Sequence, residues 1–551
     1  MGNQQHQPRA NVLWNALPAL AALAIGLFSL PTGLRLDDFA QGHHLSATLS
    51  GGGSSAWWDI FALASFEPGK RFSGAMPWWT VDGLHIRFFR PVAAASHLID
   101  YALWPRAPWA MHAHSVAIHV VLTGLVTKLY RRFFSPRKAA VAALVFAVSV
   151  NHASAVTWIA NRNALLAGVF SVATLLLFQD WSAGKWRGLL AIPCLITTLL
   201  CAEAGVVIFG FLIALPVPGE TEPQSSSILR HRWSSLAVLL ATATLWRLLY
   251  SHYGFGAVGS GAYIDPVRSP LLFLSLLPER LGWLVAMSLS PVRWLLEISL
   301  PISARIALGA LFAATTASIV YAATLLENRR WIAAGLLSMV PLAASIPGER
   351  LLTISFIGIC PAIAGAILLT SRTGIWRRVA GFTTVATHLL VSPTLFALNA
   401  LSFQPSSPIG VHLGDIKSRN LVLISAPSVL NVTLLLEARA TRAQPRAAFV
   451  WYLWVSENPE FRRVGCCTLE VGDPSGHGRE YFAAFFRDQS TPLAPGQAVK
   501  TLGYDVTVVD TDVDGYATKA RFDFRVPLEH SNLVFANWTG DDFERVSAKD
   551  L

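Results

Sequence analysis

Charge is scarce in this 551-residue chain: Asp, Glu, Lys and Arg together supply 14% of it, against about 25% in soluble domains. With 53% of residues hydrophobic, the scarcity excludes an ordinary soluble protein and implies one that crosses a lipid bilayer several times. Acidic residues are the rarer sign, 33 against 43 Lys and Arg, for a net charge of +10. The basic residues fall in short runs between apolar segments rather than on one face, so they read as topology signals, and no nucleic-acid partner is expected. Cysteine is nearly absent too. Five residues exclude a disulfide framework, and no metal-ligand set follows from them. Three of them, Cys194, Cys201 and Cys360, lie in apolar segments; the adjacent Cys466 and Cys467 have the capacity for a strained disulfide in an oxidising compartment.

Apolar segments, by contrast, fill the first 400 positions. A bilayer core needs roughly 20 apolar residues per helix, and segments near that length lie at 12–31, 110–130, 139–157, 163–180, 188–202, 204–218, 234–251, 302–326, 331–347, 351–371 and 378–400. The first, flanked by a single Arg9 and followed by no small-residue cleavage site, is expected to stay as a signal anchor. Short cytoplasmic loops collect Lys and Arg, and "KLYRRFFSPRK" (128–138) puts the end of the second span inside. The later runs Lys185 with Arg187, Arg230 with Arg232, Arg329 with Arg330, and Arg372 with Arg377 and Arg378 agree with this if 270–298 makes no net crossing. Pro278, Glu279, Arg280, Pro291 and Arg293 inside that stretch suggest a re-entrant or interfacial hairpin. The expectation is about eleven spans, with the loop 32–109 and everything after about 400 outside.

In the outer loop, Trp57, Trp58, Trp78 and Trp79 suit interface depth. From about 405, alternating stretches such as "NLVLISAP", "NVTLLLEA", "FVWYLWVS" and "ARFDFRVPL" predict a soluble all-β domain, sandwich-like, over 403–551. It contains no nucleophile–base set and no phosphate loop, and reads as an accessory or acceptor-positioning module.

Two carboxylates, Asp37 and Asp38, stand at the lip of the first span. Polar residues also line the second span, where His112, Ser115 and His119 share a face. With no carboxylate at helical spacing, hydrogen-bonded packing is favoured over a metal role for these histidines.

A resemblance gathers these pieces. "FFRPVAAASHLIDYALWPRAPWAMHAHSVAIHVVLTGLVTKLYRRF" (88–133) resembles the stretch leading into the second span of type C membrane glycosyltransferases, particularly the tetratricopeptide-carrying O-mannosyltransferases and their bacterial relatives. Arg90, Pro91, Ser96, Asp100, Tyr101, Trp104, Pro108, His112 and His119 carry it. "NHASAVTWIANRNALLAG" (151–168) is similar to the family's His-rich segment through His152, Trp158, Ile159 and Arg162. "CAEAG" resembles a Ser-Lys-Glu element through Glu203, and "GERLLTISFIG" (348–358) a Glu-Arg-Tyr element through Glu349 and Arg350. The chain departs from the family at Ser154, Leu351, Thr353 and Ser355, and has no tetratricopeptide repeats.

The resemblance implies a helical membrane glycosyltransferase domain over 1–402 that transfers a sugar, with inversion, from a polyprenyl-phosphate donor to a glycan or protein acceptor outside the cytoplasm. It implies no bound cofactor, leaves a metal requirement open, and suggests a bacterial cytoplasmic membrane with the C-terminal domain periplasmic. Asp37 is then the preferred general base, with Asp38 capping the following helix. Arg90, Arg162, Arg280 and Arg350 are candidates for the donor phosphate, supported by Asp100, His112, His152, Glu203 and Glu349. Two rivals stand beside this reading: a catalytically lapsed relative serving as a scaffold, and a transporter of lipid-linked precursors. A transporter predicts repeats and mid-membrane charge, and no repeat is visible.

Overall fold

A computed structural model describes residues 8–52, 56–65, 76–217, 225–297, 300–402, 410, 413–414, 416–441, 447–480, 482–488 and 490–551. The chain divides into two units. One comprises 1–61, 88–255 and 270–404, the other 62–87, 256–269 and 405–551. The second unit therefore takes in two stretches that the sequence reading leaves with the membrane portion, while the expected boundary segment 403–409 lies outside the described residues.

The first unit is helical. Among the described residues, six helices are long and apolar enough to cross a membrane: Pro108–Tyr130, Ile159–Ser182, Ser227–His252, Pro270–Leu289, Ile302–Ala323 and Ile375–Ser402. Pro136–Val148 and Val150–Thr157, bent by 50°, form a seventh if counted as one span. Ala16–Ser29, Trp186–Cys201, Glu203–Ala214 and Phe356–Ser371 are apolar but shorter. Eleven full-length spans are thus not what the helices provide among the described residues.

Of the stretch 270–298, expected to turn back, the first part is one continuous helix, Pro270–Leu289, unbroken at Pro278–Arg280, and a short helix, Trp294–Glu297, follows. Charge does not break the longer helix, because Arg280 is buried and donates to the carbonyl of Ala343 at 3.0 Å. An internal partner removes the cost that a bare guanidinium would carry at membrane depth. At the heart of the unit every residue of Phe356–Ile367 is buried, and the Tyr130 hydroxyl donates to the Ile357 carbonyl at 2.7 Å. A helix apolar all round belongs in a core.

The second unit is sheet-rich, as the alternation implies. Strands Ala62–Ser65, His85–Arg87 and Gly256–Val258 form a small antiparallel sheet. Glu460–Arg463, Thr468–Gly472, Ala517–Phe524, Tyr504–Thr511 and Ala498–Lys500 form, in that order, an antiparallel sheet of five. The third sheet, Phe543–Val546, Leu533–Trp538, Asn420–Ala426 and Phe449–Val455, contains parallel pairs. Parallel neighbours need a crossover, and Val429–Thr441 supplies a helix between Asn420–Ala426 and Phe449–Val455. The "NVTLLLEA" stretch is therefore helical rather than β, and the domain is not purely β. Leu, Glu, Ala and Arg are good helix formers, and Val432, Leu435 and Ala438, three residues apart, bury one helical face.

Trp78 and Trp79 are not interfacial. Both are buried in the second unit's core, where the Trp78 indole N–H donates to the Leu453 carbonyl at 2.8 Å and the Trp78 ring stacks on His477 at 5.0 Å. Indoles with an apolar body and one satisfied donor are well suited to such sites. Trp57 and Trp58 stay half-exposed. The Cys466 and Cys467 sulfurs are 3.0 Å apart and remain thiols.

Candidate active site

The helix Asp37–Leu49 opens with both carboxylates in its first turn, where the helix dipole favours negative charge. The residue before it, Leu36, has φ 41°, a conformation that costs a side-chain-bearing residue free energy and tends to occur where function demands it. The sharp entry separates the two acids.

Asp38 turns inward. One carboxylate oxygen accepts the Arg35 N–H at 2.9 Å and the other the Ala160 N–H at 2.6 Å. The Tyr101 hydroxyl donates to the Asp38 carbonyl at 3.1 Å. That approach requires Gly42, because a Cβ there would collide with the Tyr101 hydroxyl. Arg35 in turn donates to Thr157 Oγ1 at 3.1 Å and to the Asn399 and Ala400 carbonyls at 3.2 and 3.3 Å. Asp38 therefore ties the first loop to the segment at 160, and Arg35 ties it to the segment at 400.

Burial pushes the Asp38 carboxyl up to about 7 despite those backbone donors. A folded-state value above the ordinary 3.8 means the folded protein holds a proton that the unfolded chain releases. This contribution to stability is present below the ordinary value and is lost as pH rises through about 7. The expected outcome is a melting temperature that falls between pH 4 and 7 more steeply in wild type than in Asp38→Asn, read by thermal unfolding across a pH series.

Asp37 is half-buried. Burial raises its carboxyl above the ordinary range, while the guanidinium charges of Arg350 and then Arg90 pull it down. Arg350 is half-buried and, among the described residues, has no hydrogen-bond or ion-pair partner. Arg90 is held by Glu203, whose Oε2 accepts from Nε at 2.7 Å and pairs with Nη2 at 2.7 Å, and its guanidinium lies 4.5 Å from the Phe88 ring centroid. Glu349, next to Arg350, is 3.5 Å from Arg293, a cation the site reading omits. The Glu349–Leu351 turn packs on Val150–His152 and Ala153–Thr157, and the helix Asp37–Leu49 on Ile159–Asn161.

Other candidates take structural posts. Arg162 is fully buried and engages Asp100 at 2.5 Å, the Met111 carbonyl at 2.7 Å and Ser115 Oγ at 3.0 Å. Asp100 also meets His114 Nδ1 at 2.5 Å, a contact the helical-face argument passes over. His112 bonds the Gly33 carbonyl at 2.7 Å and His119 that of Ala147 at 2.9 Å. His152 is buried against Phe146, ring centroids 4.2 Å apart. Arg280 serves Ala343 as described. The cations whose charge acts on Asp37 are Arg350 and, more weakly, Arg90.

No family model matches the chain. A stretch of 128 residues, 22% of the chain, is 30% identical to protein O-mannosyl-transferase TMTC3 of Mus musculus and covers 14% of it. A stretch of 114 residues, 19% of the chain, is 30% identical to protein O-mannosyl-transferase tmtc2 of Xenopus laevis, again 14% of that protein. The resemblance to type C membrane glycosyltransferases holds. Among solved structures, the Archaeoglobus fulgidus oligosaccharyltransferase tethered to an acceptor peptide aligns over 80% of this chain and 64% of its own, at 12% identity and TM-score 0.43. ArnT from Cupriavidus metallidurans, bound to undecaprenyl phosphate, aligns over 81% and 92%, at 12% identity and TM-score 0.40. In a chain resembling type C glycosyltransferases, Asp37 lies just beyond the first apolar helix, Ala16–Ser29; the arginines that act on it come from two of the motif segments, and Glu203 of a third holds Arg90.

Proposed function

We propose that the protein is an inverting membrane glycosyltransferase that moves a sugar from a polyprenyl-phosphate donor to a hydroxyl on a glycan or protein acceptor. The observation that carries this reading is Asp37: a half-buried carboxylate with raised proton affinity, under the charge of two arginines, at the start of a helix. The named relatives of the matched stretch are O-mannosyl-transferases, which supports a sugar donor.

In this scheme the acceptor oxygen attacks the anomeric carbon as its proton passes to Asp37. The bond from that carbon to the phosphate oxygen breaks, its electron pair leaves with the phosphate, and polyprenyl phosphate departs. A single displacement inverts the centre. Arg350 and Arg90 meet the growing phosphate charge, for which a planar guanidinium fork is suited. Asp38, Arg35 and Arg162 hold the frame. The location that fits is a bacterial cytoplasmic membrane, with the Asp37 site and the sheet-rich unit on the outer side.

The test is transfer by purified protein in lipid from labelled polyprenyl-phosphate mannose, glucose and other sugars. Arg350→Gln is expected to lower kcat/KM about 10- to 100-fold, the worth of one charge-assisted contact. Because Arg350 lowers the proton affinity of Asp37, the same variant is expected to move the acidic limb of the pH profile to higher pH. No transfer with any donor, while a partner is retained from membrane extracts, would instead favour the scaffold.

A further inference from the structure

Tyr250 has no part in the scheme above. It closes the helix Ser225–His252, is 5% exposed, and packs between Trp246 and Phe255 at ring-centroid distances of 5.0 and 5.5 Å. Its hydroxyl donates to Glu203 Oε1 at 3.2 Å. The other oxygen of the same carboxylate holds Arg90, which also lies between the Phe88 and Phe61 rings, at 4.5 and 5.1 Å from their centroids. Three side chains from distant parts of the sequence thus form one chain of contacts ending at a guanidinium that acts on Asp37.

The physical consequence is directional. A glutamate holding an arginine through one oxygen keeps freedom about its own terminal torsion, so that bond alone does not fix the direction of its grip. A buried phenol bonded to the second oxygen stops that rotation, and its own ring is fixed by aromatic neighbours. We infer that Tyr250 is a positioning residue for the donor phosphate: through Glu203 it sets the direction in which Arg90 presents its charge beside Asp37. The inference rests on the donor reading above.

The experiment measures affinity for undecaprenyl phosphate, without any sugar, by the purified full chain in lipid nanodiscs, for wild type, Tyr250→Phe, Arg90→Gln and the double variant. Tyr250→Phe is expected to weaken binding about five- to tenfold with its melting temperature unchanged. Arg90→Gln weakens it more, and the double variant matches Arg90→Gln alone, because the phenol acts only through the guanidinium. Equal losses from Tyr250→Phe in both backgrounds, or none in either, overturn the inference. Should Tyr250→Phe fail to fold, Glu203→Gln reads the same coupling: it keeps the shape and the bond from Tyr250 while loosening Arg90, and its effect must likewise vanish in Arg90→Gln. Failure of the donor reading looks different, since wild type itself would then bind no undecaprenyl phosphate.

Discussion

Asp37→Asn is expected to lose sugar transfer by about 10²–10⁴-fold, the usual worth of a general base, with no loss of melting temperature. The fold should not register the change because the Asp37 carboxylate makes no hydrogen bond among the described residues, so the isosteric amide breaks nothing. What disappears is the basic oxygen. The neighbouring substitution behaves in the opposite way. Asp38 accepts two backbone N–H groups, one on each oxygen, and an amide has a single acceptor, so Asp38→Asn leaves one buried donor facing an NH₂ group. Leaving such a donor unsatisfied costs about 1–3 kcal/mol, and transfer by Asp38→Asn should fall only as far as stability does. The measurement pairs labelled-donor turnover with thermal unfolding in the same lipid. An inactive but fully stable Asp38→Asn, beside an active Asp37→Asn, would move the base by one residue.

The sequence reading has Asp38 cap the following helix, whereas that helix has no side-chain cap and the Asp38 carboxylate accepts from Arg35 and Ala160 instead. Adjacency alone says that two side chains at a helix start point apart. It does not say which finds a backbone donor 122 positions away, as Asp38 does at Ala160. Helical content was readable because apolar runs of spanning length have few alternatives in lipid. The helix Pro270–Leu289 was misread because Pro278 and Arg280 look like interruptions until the Ala343 carbonyl is known to receive the arginine. Val429–Thr441 was misread for a related reason: a short apolar run fits either period, and the parallel pairing of Asn420–Ala426 with Phe449–Val455 that demands a crossover is not local information. Trp78 and Trp79 followed the membrane prior that their neighbourhood suggested, whereas their packing partners lie some 370 to 440 positions later, at Leu453, His477 and Phe522. Arg90, Glu203 and Arg350 were found through motif resemblance. Tyr250 and Arg35 carried no motif, and only their partners reveal them.

Arg162 gives the second large effect, and it is one of stability. Arg162→Met is expected to cost on the order of 3–5 kcal/mol, the penalty for breaking a buried ion pair by removing one partner. The guanidinium is fully buried, and its ion-pair partner Asp100 is shielded from solvent as well. Without the arginine, Asp100 keeps His114 as its ion-pair partner among the described residues, while Ser115 Oγ and the Met111 and Ser96 carbonyls each lose a donor. Removing both charges together is less harmful than removing one: Arg162→Met with Asp100→Leu should recover part of the loss, because no uncompensated charge then stays in the core. The measurement is thermal or denaturant unfolding of the three proteins in one lipid composition, with donor binding recorded alongside. A phosphate-binding arginine predicts the reverse pattern, an Arg162→Met protein that melts like wild type yet no longer holds undecaprenyl phosphate. Those two outcomes separate the role that the motif suggests from the role that the contacts support, and burial decides which to expect: a guanidinium with no exposed surface and four polar groups already on it has little left to offer a ligand.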